Sequence, residues 1–437
     1  MKAYIPSSPV EREEMLQSLG IDSALDLFSH LPQDLMVEDL DVPEGLSEME
    51  LWQFIEKLAQ KNKNYSSIWR GAGSYHHYIP AIVSQVMSKE RFITSYTPYQ
   101  AEISQGILQS IFEYQTSICE LTGMEASNAS LYDGASALAE AARMCVSRKK
   151  NKVLLAGHIH PQVVETVQTY YFGDTIEIQV VEAGVDGTID LDILAQELND
   201  DVAGVCFQQP NYLGLLEDAR AIIDLVHEQD ALVVMSVNPS TLGVLEAPGV
   251  LGADIAVGEG QSMGLPLSFG GPYVGFMAST DKLKRQLPGR IVGQTVDKNG
   301  KRSYVLTMQA REQHIRREKA QSNVCTNQAL CAMQVSAYLN SVGAEGLKRQ
   351  GMWSFYNAHA LAEDLRELGF EPVNAGPFFH EFYVRTPISA YRIEEILGDE
   401  NILSGLPIDD EHMLWCATEM NTEAARAHLI EILRREL

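Results

Sequence analysis

The 437-residue chain contains no lysine between Lys152 and Lys282. A lysine amine is the group with which many enzymes hold a carbonyl compound as a Schiff base. Inside this gap, after a predicted strand, the residues read Gly258-Glu259-Gly260-Gln261-Ser262. Any Schiff-base chemistry involving this segment would have to take its amine from elsewhere.

Basic residues are scarce along the whole chain. Lysine and arginine together number 33, against 59 aspartates and glutamates, which gives a net charge of −26. A surface this acidic repels the phosphates of nucleic acids and the headgroups of anionic lipids. We therefore expect no nucleic acid and no membrane among the partners of this chain.

Metal-binding and targeting signals are also missing. The six cysteines form no C-x-x-C pair, and their spacing matches neither a zinc site nor a disulfide framework. The first residues, Met1 to Pro6, lead into charged residues rather than a long apolar run. We expect reduced thiols, no bound metal, no signal peptide or spanning helix, and a cytoplasmic location.

Strand and helix patterns alternate through the middle of the chain. The predicted strands are 153–156, 176–181, 202–207, 231–237, 253–257 and 273–278, and the predicted helices between them are 161–172, 191–198 and 214–229. Apolar strands separated by helices indicate βαβ units and a mostly parallel sheet that is covered on both faces. The sequence therefore predicts an α/β fold.

The two ends of the chain differ from this middle part. Capping boxes that begin at Ser8 and Ser47 predict short helices near the N-terminus. Residues 66–105 are rich in glycine, serine and tyrosine and predict mostly loop, followed by a helix over 107–122. A long helix is predicted after Asn327, through about residue 350, with strands at 378–384 and 412–418 and a last helix over 422–436. The predicted domains are a helical arm (1–65), a large α/β domain (66–330), and a linking helix with a small α+β domain (331–437).

Dinucleotide binding is disfavoured by the spacing of the glycines. Gly71-x-Gly73 follows no strand, and Gly258-x-Gly260 continues with the wrong spacing for G-x-G-x-x-G. Neither a P-loop nor a G-x-S-x-G motif occurs. The parallel sheet must therefore serve another chemistry.

The arrangement looks like the large domain of enzymes that use pyridoxal phosphate (PLP), with most of the cofactor site missing. Such a site needs a small-residue turn at a helix N-terminus for the phosphate, a strand-end aspartate and a lysine. Residues 128–136 suit the first role, although Ser130 or Asp133 could equally be a helix cap. No aspartate ends the strand 231–237, and Gln261 stands at the lysine-like position. We expect a vestigial pocket formed by Ser130, Asp133, Gly134, Ser236, Asn238 and Gln261.

Two polar segments are candidates for an interface. Residues 94–102 concentrate hydrogen-bonding side chains, and residues 309–323 concentrate arginine in an otherwise acidic chain. A turn or a plain surface helix would explain them without any function. The alternative is the rim of an active site at a subunit boundary, with the candidate residues Tyr96, Thr97, Tyr99, Gln100, Glu102, His314, Arg316, Arg317 and Asn323.

Several sequence segments together resemble one family, the P-protein of the glycine cleavage system. The segments are SYTPYQAEISQG (95–106), NASL (128–131), FGGP (269–272), PGRIVG (288–293) and REQHIRREKAQSNVCTN (311–327). The resemblance covers essentially the whole chain. The length and the missing lysine match the α chain of the split form, in which two homologous chains replace one long polypeptide.

The resemblance implies an aspartate-aminotransferase-like PLP-enzyme fold and a glycine-decarboxylating complex. A partner β subunit would carry the PLP lysine, and the two chains would pair as α2β2. Glycine would lose CO2 on the cofactor, and the aminomethyl group would pass to the lipoyl arm of the lipoylated H-protein. No catalytic residue transfers to this chain, because Gln261 stands at the lysine-like position.

Two other functions stay open at the level of the sequence. The chain could be a self-sufficient PLP enzyme with an atypical lysine, for which Lys319 among its basic neighbours is the candidate. It could also be a non-catalytic protein whose vestigial pocket holds a small ligand.

Overall fold

The computed structural model describes residues 7–37, 41–324 and 326–437, and it divides into two compact units, residues 1–63 and 64–437. Met1 to Pro6, on which the expectation of no targeting segment partly rests, lie outside the described residues. In the first unit, α1 (Pro9–Leu19) and α2 (Glu48–Ala59) begin at the capping boxes of Ser8 and Ser47, as predicted. Short 3-10 turns at Ala24–Phe28 and Gln33–Leu35 lie between the two helices.

The second unit contains a seven-stranded sheet and its covering helices. Its first elements are β1 (Ser67–Ile68), α3 (Ala81–Met87), α4 (Glu90–Ile93), α5 (Gln105–Thr122), β2 (Ala126–Ser127), α6 (Gly134–Cys145), β3 (Lys152–Ala156), α7 (Pro161–Tyr170), β4 (Glu177–Val181), α8 (Leu191–Glu197), β5 (Val202–Gln209), α9 (Ala219–His227), β6 (Leu232–Val237), α10 (Pro248–Leu251), β7 (Ile255–Glu259) and β8 (Gly275–Ser279). The strand order is β2-β8-β7-β6-β5-β3-β4. Strands β3 to β7 run parallel, whereas β8 and β2 are antiparallel to their neighbours.

Both faces of this sheet are buried, which explains its continuous apolar strands. Alternate side chains of one strand enter two different hydrophobic clusters: Phe207 packs on one face with Val233, and Cys206 packs on the other with Val234. The mostly parallel, doubly covered sheet that the sequence predicted is confirmed. Strands β5, β6 and β7 end at one edge, the place where open α/β sheets usually bind ligands.

The remaining elements form a four-stranded sheet with its helices and two smaller strand pairs. They are β9 (Val292–Val296), β10 (Arg302–Leu306), α11 (Gln313–Arg316), α12 (Ala329–Glu367), β11 (Glu371–Pro372), β12 (Glu381–Arg385), α13 (Ala390–Asp399), β13 (Ile402–Leu403), β14 (Leu406–Pro407), β15 (His412–Cys416) and α14 (Glu423–Glu436). In the two smaller pairs, β9 is antiparallel to β10 and β13 is parallel to β1. Strands β11, β12, β15 and β14 form an antiparallel sheet, whose core contains Trp415 and side chains of α12, α13 and α14. No helix in the described part of the chain is both long and apolar enough to cross a membrane.

Three predicted elements differ from the structure. The helix predicted over 214–229 begins only at Ala219, because the Asp218 side chain caps it by accepting from the Ala221 N–H. The helix predicted to end near residue 350 continues to Glu367, with non-helical backbone at Gly343. The segment predicted as loop, 66–105, includes the short helices α3 and α4.

Two tryptophans, one buried and one exposed, test how much the core of the four-stranded sheet contributes to stability. Trp415 is fully buried, whereas Trp353 on α12 is 62% exposed. We expect Trp415→Ala to lower the free energy of unfolding by about 3–5 kcal/mol, because it leaves a large cavity. Trp353→Ala should change it by less than about 1 kcal/mol. Urea unfolding followed by circular dichroism measures both, and equal midpoints would contradict the assigned core.

Candidate functional site

A cavity of about 380 Å³ opens at the edge where β5, β6 and β7 end. It is bounded by the starts of α6 and α7 and by the loop 72–75. The lining residues are Ala72, Gly73, Ser74, Tyr75, Asp133, Gly134, Ala135, His160, Gln162, Val163, Thr166, Gln208, Ser236, Val237, Asn238, Glu259, Ser262, Gly270 and Tyr273. No lysine or arginine belongs to this lining, so the cavity offers no permanent positive charge.

Glu259, the last residue of β7, lies against the N-terminus of α6. Its Oε2 accepts a hydrogen bond from the Gly134 N–H at 3.0 Å, and its Oε1 accepts from Gln261 N–H at 3.1 Å and Val274 N–H at 3.0 Å. Burial raises the pKa of Glu259 to about 7, with a smaller upward effect from Asp133, while the three N–H donors lower it. The carboxylate thus takes an anion's place at a helix N-terminus.

Asp133 caps the same helix. Its Oδ1 accepts from the Ser136 N–H at 2.7 Å, and the Ser136 hydroxyl accepts from the Asp133 N–H at 3.1 Å. Of the two roles weighed from the sequence, the structure assigns Asp133 to helix capping. Two carboxylates therefore stand at the first turn of α6, which already carries the positive end of the helix dipole.

The end of β6 carries an amide in place of a carboxylate. The Oδ1 of Asn238 accepts hydrogen bonds from the Ser240 N–H and from the hydroxyls of Ser240 and Ser262, all within 3.1 Å. Its Nδ2 lies 3.4 Å from Nε2 of His380. Asn238 is thus held by its own neighbours, and it carries no charge with which to stabilise a protonated ring nitrogen.

Gln261 does not face the cavity. Its side chain is buried, and its amide makes a two-way pair with the backbone of Tyr75: Oε1 accepts from the Tyr75 N–H at 2.7 Å, and Nε2 donates to the Tyr75 carbonyl at 3.0 Å. Nε2 also donates to the carbonyl of Leu265 at 2.9 Å. Since an ammonium group cannot accept a hydrogen bond, a lysine could not replace this pair.

Two carboxylates from the C-terminal part of the chain hold the same loop: the buried Glu381 on β12, and the partly buried Glu419 in the turn after β15. Glu381 on β12 accepts from the Ala72 N–H at 2.6 Å and from the Tyr75 hydroxyl at 2.7 Å. Burial raises the pKa of Glu381 to about 7. Glu419 accepts from the Tyr78 N–H at 2.7 Å and pairs with Nδ1 of His77 at the same distance. The loop 72–78 is therefore fixed on both sides.

His160 completes the fixed surroundings of the cavity. Its Nδ1 accepts from the Gln162 N–H at 3.2 Å, and its Nε2 lies 3.0 Å from the Ala72 carbonyl. One neutral tautomer satisfies both contacts, and burial lowers the pKa of this imidazole. The ring thus brings no positive charge to the cavity.

The structure brings together four of the six residues predicted for the vestigial pocket. Asp133, Gly134, Ser236 and Asn238 line the cavity, whereas Ser130 and Gln261 do not. The Ser130 hydroxyl instead accepts from the Gln328 N–H at 3.2 Å. The sequence reasoning missed Glu259, Gln208, Ser262, Tyr75 and His160, of which the acidic residue at a strand end was the one readable signal.

These residues do not fit PLP. Its phosphate would have to displace the Glu259 carboxylate at α6, its ring nitrogen would face Asn238, and its aldehyde would find Gln261 turned away. No step of a PLP reaction can therefore be assigned to this cavity. Among the residues that the structure describes, no group of three or more histidine, cysteine, aspartate or glutamate side chains could hold a metal ion.

The two polar segments lie beside each other on the second unit. The Tyr99 hydroxyl is 3.5 Å from Oδ1 of Asn327, and the Arg290 guanidinium lies 5.1 Å above the Tyr99 ring. Arg290 also pairs with the buried Glu312, and Arg311 donates to the Gly289 carbonyl at 2.7 Å. Burial lowers the pKa of Arg311 to about 10. Thus Arg311 supports the backbone rather than facing solvent.

Most of the predicted rim residues are exposed. Tyr99 is half-buried, and the exposed ones are Tyr96, Thr97, Gln100, Glu102, His314, Arg316, Arg317 and Asn323. Tyr96 is 84% exposed and the nearby Ile103 is 80% exposed. The exposed arginines therefore share this surface with large exposed apolar groups.

Comparison with known proteins places the chain in a family. The family model described as glycine cleavage system P-protein matches residues 2–433. A protein of Desulfitobacterium hafniense named probable glycine dehydrogenase (decarboxylating) subunit 1 is 47% identical over 432 residues, covering 96% of each chain. A protein of the same name from Carboxydothermus hydrogenoformans is 46% identical and covers 98% of this chain and 99% of its own.

Solved structures agree with this result. The inhibitor-bound crystal structure of glycine decarboxylase (P-protein) matches with a TM-score of 0.93 and 39% identity over 100% of both chains. Aspartate aminotransferase from Thermus thermophilus, with a TM-score of 0.62 and 15% identity over 85% of this chain and 100% of its own, shares the fold. The aspartate-aminotransferase-like fold predicted from the sequence is confirmed, and the chain belongs to the glycine cleavage system P-protein family.

Proposed function

We propose that this chain is the cofactor-free subunit 1 of a glycine dehydrogenase (decarboxylating), active only with a β subunit that holds PLP on its own lysine. Support comes from the family and from relatives named as subunit 1. One observation carries the assignment of the cofactor to the partner: the Glu259 carboxylate occupies the N-terminus of α6, where a cofactor phosphate would bind.

The complete reaction is assigned to an α2β2 complex in the cytoplasm. Glycine is the substrate, and PLP on the β subunit supplies the electron sink for the loss of CO2. The lipoylated H-protein accepts the aminomethyl group. This chain contributes surface to the complex, where it positions groups, excludes water and binds its partners.

The rim residues are the part of this chain that we assign to the partner's active site. Tyr96 and Arg316 are exposed, while the half-buried Tyr99 and the pair of Arg290 and Glu312 keep the two polar segments side by side. Guanidinium and phenol groups suit recognition of a carboxylate or a phosphate. Exposed apolar residues such as Ile103 fit a surface that another subunit covers.

The two alternative functions gain no support from the geometry. Lys319 lies exposed on the short turn Arg317–Lys319 and does not line the cavity. The cavity amides and carboxylate, among them Asn238, Gln208 and Glu259, already have partners within the chain. The three side chains that would orient a polar ligand are therefore already held by contacts within the chain.

Reconstitution tests the proposal directly. The purified chain with excess PLP should show neither the visible absorbance of a PLP Schiff base nor exchange of label between bicarbonate and the glycine carboxylate. Adding the β subunit should produce both. Full exchange by the β subunit alone would show that this chain is dispensable, and a Schiff-base band in the chain alone would show that it holds its own cofactor.

A double variant tests the rim. We expect Tyr96→Phe with Arg316→Ala to lower the exchange rate of the complex about tenfold, which corresponds to about 1.4 kcal/mol of transition-state stabilisation. A positioning role predicts a fall in kcat, whereas a pure docking role predicts weaker assembly of the two subunits.

The matched control is Tyr391→Phe with Arg434→Ala, two exposed positions on α13 and α14. It should leave the rate and the assembly unchanged. If the rim variant also kept the normal exchange rate and assembly, these residues would not belong to the rim of the partner's active site. Size-exclusion chromatography and steady-state exchange measure the two quantities.

A further inference from the structure

The carboxylate of Glu259 is enclosed by backbone donors from three separate elements. They are the Gly134 N–H at the start of α6, the Gln261 N–H after β7, and the Val274 N–H just before β8, each between 3.0 and 3.1 Å from a carboxylate oxygen. N–H groups that converge in this way on one point form an anion site. In this chain the anion is part of the protein.

The backbone around Glu259 leaves no room for side chains. A Cβ atom at Gly134 would lie 2.9 Å from the Glu259 nitrogen, and one at Gly275 would lie 2.1 Å from the Asp133 carbonyl oxygen. Glycine at both positions lets α6, β7 and β8 approach closely enough for all three donors to reach the carboxylate. The site is therefore built by the fold rather than by one flexible side chain.

Charge around this site opposes a second anion. Asp133 and Glu259 both line the cavity, and no lysine or arginine lines it. His160 is held by acceptor and donor contacts that suit its neutral form. Above about pH 7, where Glu259 is ionised because its pKa is about 7, a phosphate would meet two carboxylates without a cation to offset its charge.

We propose that Glu259 is an internal substitute for the phosphate group of a cofactor: its carboxylate satisfies the anion site of α6, so that this chain folds without a cofactor and excludes phosphate-bearing ligands. The inference rests on the proposed cofactor-free role, and it explains how the chain is stable without a cofactor. Loss of the lysine alone would leave an empty anion site at a helix N-terminus, with donors that lack acceptors. The Glu259 carboxylate accepts hydrogen bonds from these donors and, by occupying the site, leaves no room for a phosphate.

Chemical rescue tests the substitution. Glu259→Gly removes the carboxylate and leaves the three donors facing a void. In the purified full-length chain we expect a lower melting temperature than in the wild type. Inorganic phosphate or formate in the tens of millimolar range should raise it by about 2–4 °C in a saturable way, because the anion binds the folded state only. The wild type should show no such rise beyond that in sodium chloride of equal ionic strength.

A second carboxylate provides the matched control. Glu217 accepts from the Ile189 N–H at 2.8 Å and from the Asn211 side chain at 2.7 Å, and it does not line this cavity. Glu217→Gly leaves one N–H and one side-chain amide rather than three converging N–H groups at a helix N-terminus, so it should lower the melting temperature with clearly weaker rescue by either anion than Glu259→Gly shows. Equal rescue of both glycine variants would overturn the inference, because the effect would then be general. The inference would also be overturned if the Glu259→Gly chain folded but its melting temperature did not rise with phosphate or formate.

Glu259→Gln covers the case in which the glycine variant does not fold. The amide keeps the shape but loses the charge and places an N–H₂ group among N–H donors. We expect a lower melting temperature with no response to phosphate, and an unchanged melting temperature would overturn the inference. The absorbance spectrum of the wild-type chain with PLP distinguishes failure of the proposed function from failure of the inference about Glu259. Cofactor binding there would end the proposed function, whereas failed rescue without cofactor binding would end this inference alone.

Discussion

The first turn of α6 must find acceptors for its free N–H groups, and the arrangement of the cavity follows from this constraint. Asp133 supplies one acceptor from the N-cap position just before the helix, and Glu259 supplies another from the end of β7. In enzymes with a bound phosphate, the ligand can meet this need. In this chain a carboxylate meets the need instead, and an ionised carboxylate also repels a phosphate.

Gln261 fixes the loop that forms one wall of the cavity. Its amide both donates to and accepts from the backbone of Tyr75, which a lysine could not do. Glu381 on β12 and Glu419 in the turn after β15 hold the same loop. One wall of the cavity is thereby held by hydrogen bonds that come from both sides of the loop.

In the surface formed by the two polar segments, buried residues support exposed ones. Its supporting groups, Arg290 with Glu312 and the half-buried Tyr99, are turned inward, while Tyr96 and Arg316 are left outside. The supporting pair is largely buried, and breaking a buried pair costs more than breaking an exposed one. Exposed arginines in a chain of net charge −26 are compatible with the proposal that an acidic or phosphate-bearing partner binds this surface.

The sequence alone determined the parallel sheet, since apolar runs such as Val202 to Phe207 suit only strands buried on both faces. It also determined the absence of a lysine, and it gave Asp133 as a possible helix cap. Only the tertiary structure decided that Glu259 fills the anion site and that Gln261 turns away from the cavity. Those contacts join residues that are 125 and 186 positions apart, which local pattern cannot pair. The contact of Glu259 with Gly134 exists because the carboxyl end of β7 and the start of α6 meet at one edge of the sheet, and that of Gln261 exists because the loop 72–78 packs against the same edge.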